Sequence, residues 1–256
     1  MALIDAVILA GGRSPWLKEA CGTEFRCLAP LGGRRMVDYI IDALQQSGSI
    51  GRIVVAASPG ALAQLEGTLP EGVGLCAAKG DLPATAYAAA RYFGDAGSEK
   101  MLGVCDDIPL VTGAGIRDFL EQCAAYPSGQ LYYPIIPKEA CQKLFPGAKR
   151  TYGSLRDGIF TGGNMMLVAK DVIPRGQQKA KEIFALRKSP LGLANWLGWS
   201  FVLKALFRML SVADAEKRFS TIMEMDSKAI ITEHAGIGMD VDKPADLLLA
   251  EKYLQR

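Results

Sequence analysis

Val7-Ile8-Leu9-Ala10-Gly11-Gly12-Arg13 is the stretch on which the fold turns. From Leu3 to Ala10 the chain is apolar except for Asp5, and the run stops at two glycines. A short apolar run closed in this way reads as a buried parallel strand followed by a tight turn. Working outward, Met36 to Gln46 has apolar residues at helical spacing, and Arg52 to Ala57 is a β-branched strand. Helical patterns at Gly60 to Leu69, Ala84 to Phe93 (opened by Pro83) and Gly115 to Ala125 alternate with strands at Val73 to Ala77 and Met101 to Cys105. That alternation predicts right-handed βαβ units, a mostly parallel sheet, and ligands gathered at the carboxyl ends of its strands.

The second half is less regular. Gln130 to Ile136 and Gly163 to Ala169 read as strands, with a glycine-containing loop between them. Residues from about 177 to 219 read as a helical insertion in what is otherwise one domain spanning 1–256. Its centre, Leu191 to Leu203, is apolar on nearly every face but too short to span a bilayer, and Lys204 and Arg208 follow it. Core packing, a homodimer seam or peripheral lipid contact all suit such a segment. A last helix runs from about Ala245 to Leu254.

Composition narrows the function. Half of the 256 residues are hydrophobic and 22% are charged, as in an ordinary globular protein. Lys+Arg 29 against Asp+Glu 27, with no block of like charge, gives no nucleic-acid groove. The six cysteines form no Cys-x-x-Cys pair, a pattern of buried thiols in a reducing cytoplasm. No basic region and signal-peptide core opens the chain. The single histidine, His234, rules out a multi-histidine metal site and reads as a structural or solvent-facing loop residue. Chemistry is left to carboxylates, cations and backbone amides.

Three motifs could carry it. Gly11-Gly12 lets backbone amides approach a phosphate, with Arg13, Lys18 and Arg26 as sources of positive charge. The segment is neither a Walker loop nor a Gly-x-Gly-x-x-Gly fingerprint, and taken alone a structural turn reads equally well. Asp106-Asp107-Ile108-Pro109 ends an apolar strand with two acids, which suits Mg²⁺ or, equally, a helix cap. Asp240 and Asp242 lie two apart in an extended segment and so share a face; a turn before the Pro244 helix is the alternative.

In this order the motifs resemble those of the MobA-like NTP transferases, within the nucleotide-diphospho-sugar transferase-like superfamily. Leu9-Ala10-Gly11-Gly12 matches the opening signature, and Leu28 to Val37 is similar to its "L-x-P-x-G-G-x-P-M" continuation. Asp107-Ile108-Pro109-Leu110 is similar to the metal-binding "D-x-P-L" element, and Met239 to Leu247 to the closing "D-I-D-T-P-E-D-L". The resemblance covers nearly the whole chain. It implies a three-layer α/β/α, Rossmann-like fold with a mostly parallel mixed sheet.

The same resemblance assigns roles. Leu9, Ala10, Gly11, Gly12 and Arg13 would bind the nucleotide, with Asp81, Thr85 and Asp106 completing its pocket. Arg13, Lys18 and Arg26 would be the catalytic cations, and Asp107 would hold Mg²⁺ (or Mn²⁺) helped by Asp240 or Asp242. Thr161-Gly162-Gly163-Asn164 would grip a small phosphorylated acceptor that attacks the α-phosphorus of an NTP and releases pyrophosphate. Trp16 stands where the signature has an arginine, and Arg26 where it has a lysine. Arginine does not simply replace a point-charge lysine, so the departures imply altered specificity. A regulator that binds nucleotide without turnover and an NDP-sugar glycosyltransferase are the alternative readings.

Overall fold

The computed structural model describes residues 3–94, 97–186, 198, 201, 204 and 209–255. The strands are β1 (Ile4–Ala10), β2 (Pro30–Leu31), β3 (Arg34–Arg35), β4 (Ile50–Ala57), β5 (Val73–Ala77), β6 (Lys100–Cys105), β7 (Leu131–Pro137), β8 (Gly153–Leu155), β9 (Gly158–Gly162), β10 (Met165–Ala169) and β11 (Ser227–Ile231). The helices are α1 (Pro15–Cys21), α2 (Met36–Gln46), α3 (Pro59–Leu65), α4 (Leu82–Phe93), α5 (Gly113–Ala124), α6 (Lys138–Leu144), α7 (Ile173–Leu186), α8 (Val212–Met223) and α9 (Pro244–Leu254).

Among the described residues, nine strands form one sheet in the order β5-β4-β1-β6-β10-β7-β9-β8, with β11 also paired to β7. The first four are parallel, as the alternating pattern predicts, while β10 runs antiparallel to both β6 and β7. The chain steps from β1 outward through β4 to β5, then returns to lay β6 against the other edge of β1. That reversal is a topological switch point, where the crossovers leave a crevice at the carboxyl ends. Pairing of Leu9 with Cys105 sets Gly11-Gly12 and Asp106-Asp107 side by side there.

The sheet is covered on both faces. One face carries Ile8, Val55 and Leu102 against Ile40 and Leu44 of α2, Ala61 of α3, and Phe119 of α5. The other carries Val7, Val54 and Met101 against Ala89 and Phe93 of α4, Ile173 of α7 and Met223 of α8. These are the three layers expected.

β9 and β10 follow one another along the same edge of β7, with a register slip of two residues at Gly163-Asn164. Of the two, β10 also pairs with β6, whereas β9 pairs with β8. The bulge therefore peels β9 away just where β6 ends, a usual place for such a bend beside a site.

Of the 177–219 insertion, residues 177–186 form the end of α7 and residues 212–219 the start of α8. Most of its apolar centre lies outside the described residues, and so do the packing roles expected of it. Among the described residues no helix is long and apolar enough to cross a membrane. All six cysteines are free, and His234 sits in a loop with Nε2 3.8 Å from Asp118.

Candidate active site

Gly12 and Arg26 are joined by a local chain reversal. Ser14 N donates to Glu24 O, Arg13 bridges Phe25, and Arg26 N donates to Gly12 O at 3.4 Å. Helix α1 fills the excursion, burying only Leu17 against Ala29, Leu31, Met36 and Val241. A Cβ added at Gly12 would overlap the Arg26 guanidinium, so glycine is required for this close approach. The β2–β3 ribbon that follows turns on Gly32 and Gly33, with φ of 56° and 82°. Positive φ at both central residues is what a tight hairpin turn demands.

From this position Arg26 reaches the acids. Its Nη1 donates to Asp107 Oδ2 at 2.5 Å and lies 3.7 Å from Asp242 Oδ1, while Nε lies 3.5 Å from Asp106 Oδ1. Asp106 is fully buried and Asp107 is 5% exposed. Neither oxygen of Asp106, nor Oδ1 of Asp107, meets a hydrogen-bond donor in good geometry. Burial pushes both carboxyls up; Arg26 opposes it in each, and Asp107 raises Asp106 further while Asp242 does the same to Asp107. Buried carboxylates with unfilled oxygens are costly unless a cation is near, and Mg²⁺ takes one or two carboxylates. The donor set fits that ion. Among the described residues no three acid, thiol or imidazole groups converge as a protein-only metal cage.

The Thr161–Asn164 loop, expected to grip an acceptor, lies on the same sheet edge. Cys105 N donates to Asn164 O, Asn164 N to Ile237 O, and Val241 N to Asp107 O. The 237–241 segment is thus stitched across both β6 and the bulge. Asp240 accepts from Arg150 Nη1 and, at 3.4 Å, from Asn164 Nδ2. Thr161 is buried on β9, and Gly163 packs its Cα side against Ile237 and Pro134.

Other expected residues lie farther from the acids. Arg13 pairs with Glu24 at 3.3 Å and stacks on Phe25, and Lys18 is exposed on α1 with no ion pair among the described residues. Asp81 caps α4 by accepting from Ala84 N at 2.7 Å, and Thr85 Oγ1 accepts from Lys79 N at 2.9 Å. Both hold the turn after β5, next to Gly11, whose added Cβ would touch Ala78 at 3.3 Å. Trp16, at the missing signature arginine, is half-buried with Val241 and Ala250.

Arg150 was not among the sequence candidates. It follows Pro146-Gly147-Ala148-Lys149 in a loop without a motif, and the only available signal was a pair of adjacent cations. A cavity of about 790 Å³ lies at the opposite end of β6, lined by Arg91, Ser98, Lys100 and Lys170 among others. Its lysines are engaged elsewhere, Lys100 by Tyr132 and Lys170 by Asp5, so the acids at the switch point are the better site.

A parallel sheet that sets glycine backbone and buried acids together at its switch point is the architecture of a nucleotide-handling α/β enzyme. The family model described as MobA-like NTP transferase domain matches residues 6–178, and the chain belongs to that family. It is a nucleotidyltransferase. Among solved structures, a hypothetical transferase from Thermus thermophilus is 33% identical, with a TM-score of 0.84 over 96% of this chain and 99% of that one. The fold also matches 4-diphosphocytidyl-2C-methyl-D-erythritol synthase from Anaerococcus prevotii (14% identity, TM-score 0.61, 100% and 99% covered). It matches the 2-C-methyl-D-erythritol 4-phosphate cytidylyltransferase of Thermus thermophilus as well (15%, 0.58, 99% and 100%). No curated protein sequence matches the chain.

Proposed function

We propose that the enzyme transfers a nucleoside monophosphate from an NTP to a small phosphorylated acceptor, with Mg²⁺ or Mn²⁺, and releases pyrophosphate. The observation that carries this reading is Arg26 held between Gly12 and the Asp106–Asp107 pair. A phosphate chain laid over Gly11-Gly12 would meet backbone amides on one side and the guanidinium on the other. Leu9 and Ala10 end β1 below it, and the Asp81–Thr85 turn walls the nucleotide side. Asp107, with Asp240 or Asp242, would hold the ion, which supplies charge neutralisation at the reacting phosphate.

In the reaction an acceptor phosphate oxygen bonds to the α-phosphorus as the bond to the β-phosphate oxygen breaks. Little covalent chemistry falls to the protein; its residues position the two substrates and neutralise charge. Asn164, at the bulge beside Cys105, stands where the acceptor would enter. The fully buried Asp106 lies beneath Arg26 and sets the guanidinium's place instead of meeting solvent.

A melting-temperature screen of the four common NTPs, each with Mg²⁺ or with EDTA, tests this. One NTP should raise the melting temperature by several degrees with Mg²⁺ only. No shift with any NTP would contradict the reading.

A further inference from the structure

Arg150 comes from the loop between α6 and β8, on the side of the acids away from Gly12. Its side chain is 16% exposed, its Nη1 donates to Asp240, and its Nε is buried without an acceptor. The guanidinium is felt widely. Burial raises Asp107, Tyr133, Cys141 and Tyr152, and the Arg150 charge opposes that rise in each. The arginine therefore stands among groups from β6, β7, α6 and the approach to β8. A buried guanidinium with one edge of its fork unfilled is costly, and a phosphate or carboxylate oxygen completes it.

The acids thus lie between two guanidiniums, Arg26 on the glycine side and Arg150 on the bulge side. In an in-line transfer the attacking and leaving oxygens sit on opposite sides of the phosphorus. If pyrophosphate leaves over Gly12 and Arg26, the attacking anion arrives from the side of Asn164 and Arg150. We propose that Arg150 binds the anionic group of the acceptor, and that Asp240 holds it in place until a divalent cation takes that carboxylate. This rests on the nucleotidyl-transfer reading above.

Inorganic phosphate is the probe, titrated calorimetrically into the metal-free full chain. Asp240→Asn loosens the hold on Arg150, so phosphate should bind that variant about tenfold more tightly than wild type. Adding Arg150→Ala should abolish the gain, and adding Arg150→Lys should restore only part of it, because lysine lacks the planar fork. A purely structural Arg150 gives the same phosphate affinity in all these proteins, and that result overturns the proposal.

The exchange has a second readout. Mn²⁺ titrated by electron paramagnetic resonance should bind Arg150→Ala about tenfold more tightly than wild type, because Asp240 is freed. Unchanged or weaker Mn²⁺ binding overturns the exchange. Should Arg150→Ala not fold, the comparison of Asp240→Asn with wild type still decides through phosphate. A chain that binds no NTP counts against nucleotidyl transfer, whereas the phosphate titration reads Arg150 by itself.

Discussion

Arg26 and Asp107 are 81 residues apart in the chain and 2.5 Å apart in the fold. Two separate devices make that contact. The reversal that pairs Gly12–Ser14 with Glu24–Arg26 fixes the guanidinium beside the glycine loop. The parallel pairing of β1 with β6 then delivers Asp106 and Asp107 to the same edge. Sheet order and one local turn together place a cation on two buried acids, and neither is sufficient alone.

Gly12→Ala tests the first device. The added Cβ would overlap the guanidinium, which must then leave Asp107 or push the loop aside. Overpacking of this kind costs about 1–3 kcal/mol. A lower melting temperature should accompany a roughly tenfold loss of nucleotide affinity by calorimetry. Unchanged affinity would show that Arg26 need not sit against the glycine.

Thr85→Val probes the wall beside the glycine loop. Valine keeps the volume but removes the oxygen that accepts from Lys79 N, leaving that amide unpaired. The cost should be about 1–2 kcal/mol of stability, measured by denaturant unfolding. Nucleotide affinity should fall with it, since the turn carrying Ala78 and Lys79 loosens. A stability loss without any affinity loss would separate this turn from the nucleotide.

Much of this was legible in the sequence. The strand at Val73–Ala77 and the helix at Met36–Gln46 fall where their patterns set them, because apolar periodicity and flanking glycines agreed. Helix α1 was missed because it buries a single residue, Leu17, and shows no periodic face. β8, β9 and β11 are short, and β11 reads only as Ser-Lys-Ala-Ile-Ile, so their pairing comes from tertiary neighbours.

The site divided in the same way. Gly11-Gly12, Asp106-Asp107 and Asn164 fall on one sheet edge because each directly follows or precedes a strand. Arg13 and Lys18 are near in sequence but turned elsewhere, since Glu24 and Phe25 hold the first and α1 exposes the second. Arg150 was invisible because a loop delivers it, and loop placement has no periodic signature.

Asp5 gives the structure a pH dependence away from the site. Its carboxylate, 3% exposed, accepts from Arg52 at 2.8 Å and from Lys170 at 2.6 Å. Burial pushes the carboxyl up, but these bonds and charges outweigh it and hold the group below the ordinary aspartate range. A lowered folded-state value means the stabilisation is fully present above the ordinary aspartate range and is lost as the pH falls through the lower value. Asp5→Asn leaves two cations without their partner and should cost on the order of 3 kcal/mol at neutral pH. The gap in melting temperature between variant and wild type should narrow below about pH 4. A gap constant from about pH 7 to about pH 3 would contradict the account.

The acids at the end of β6 should serve nucleotidyl transfer at the glycine loop. Pyrophosphate release, measured with the stabilising NTP, Mg²⁺ and a panel of phosphorylated acceptors, tests it most directly on wild type and Asp107→Asn. Wild type should release pyrophosphate, and the variant should lose about a hundredfold or more of that rate with its circular dichroism preserved. Equal release by the folded variant would contradict it.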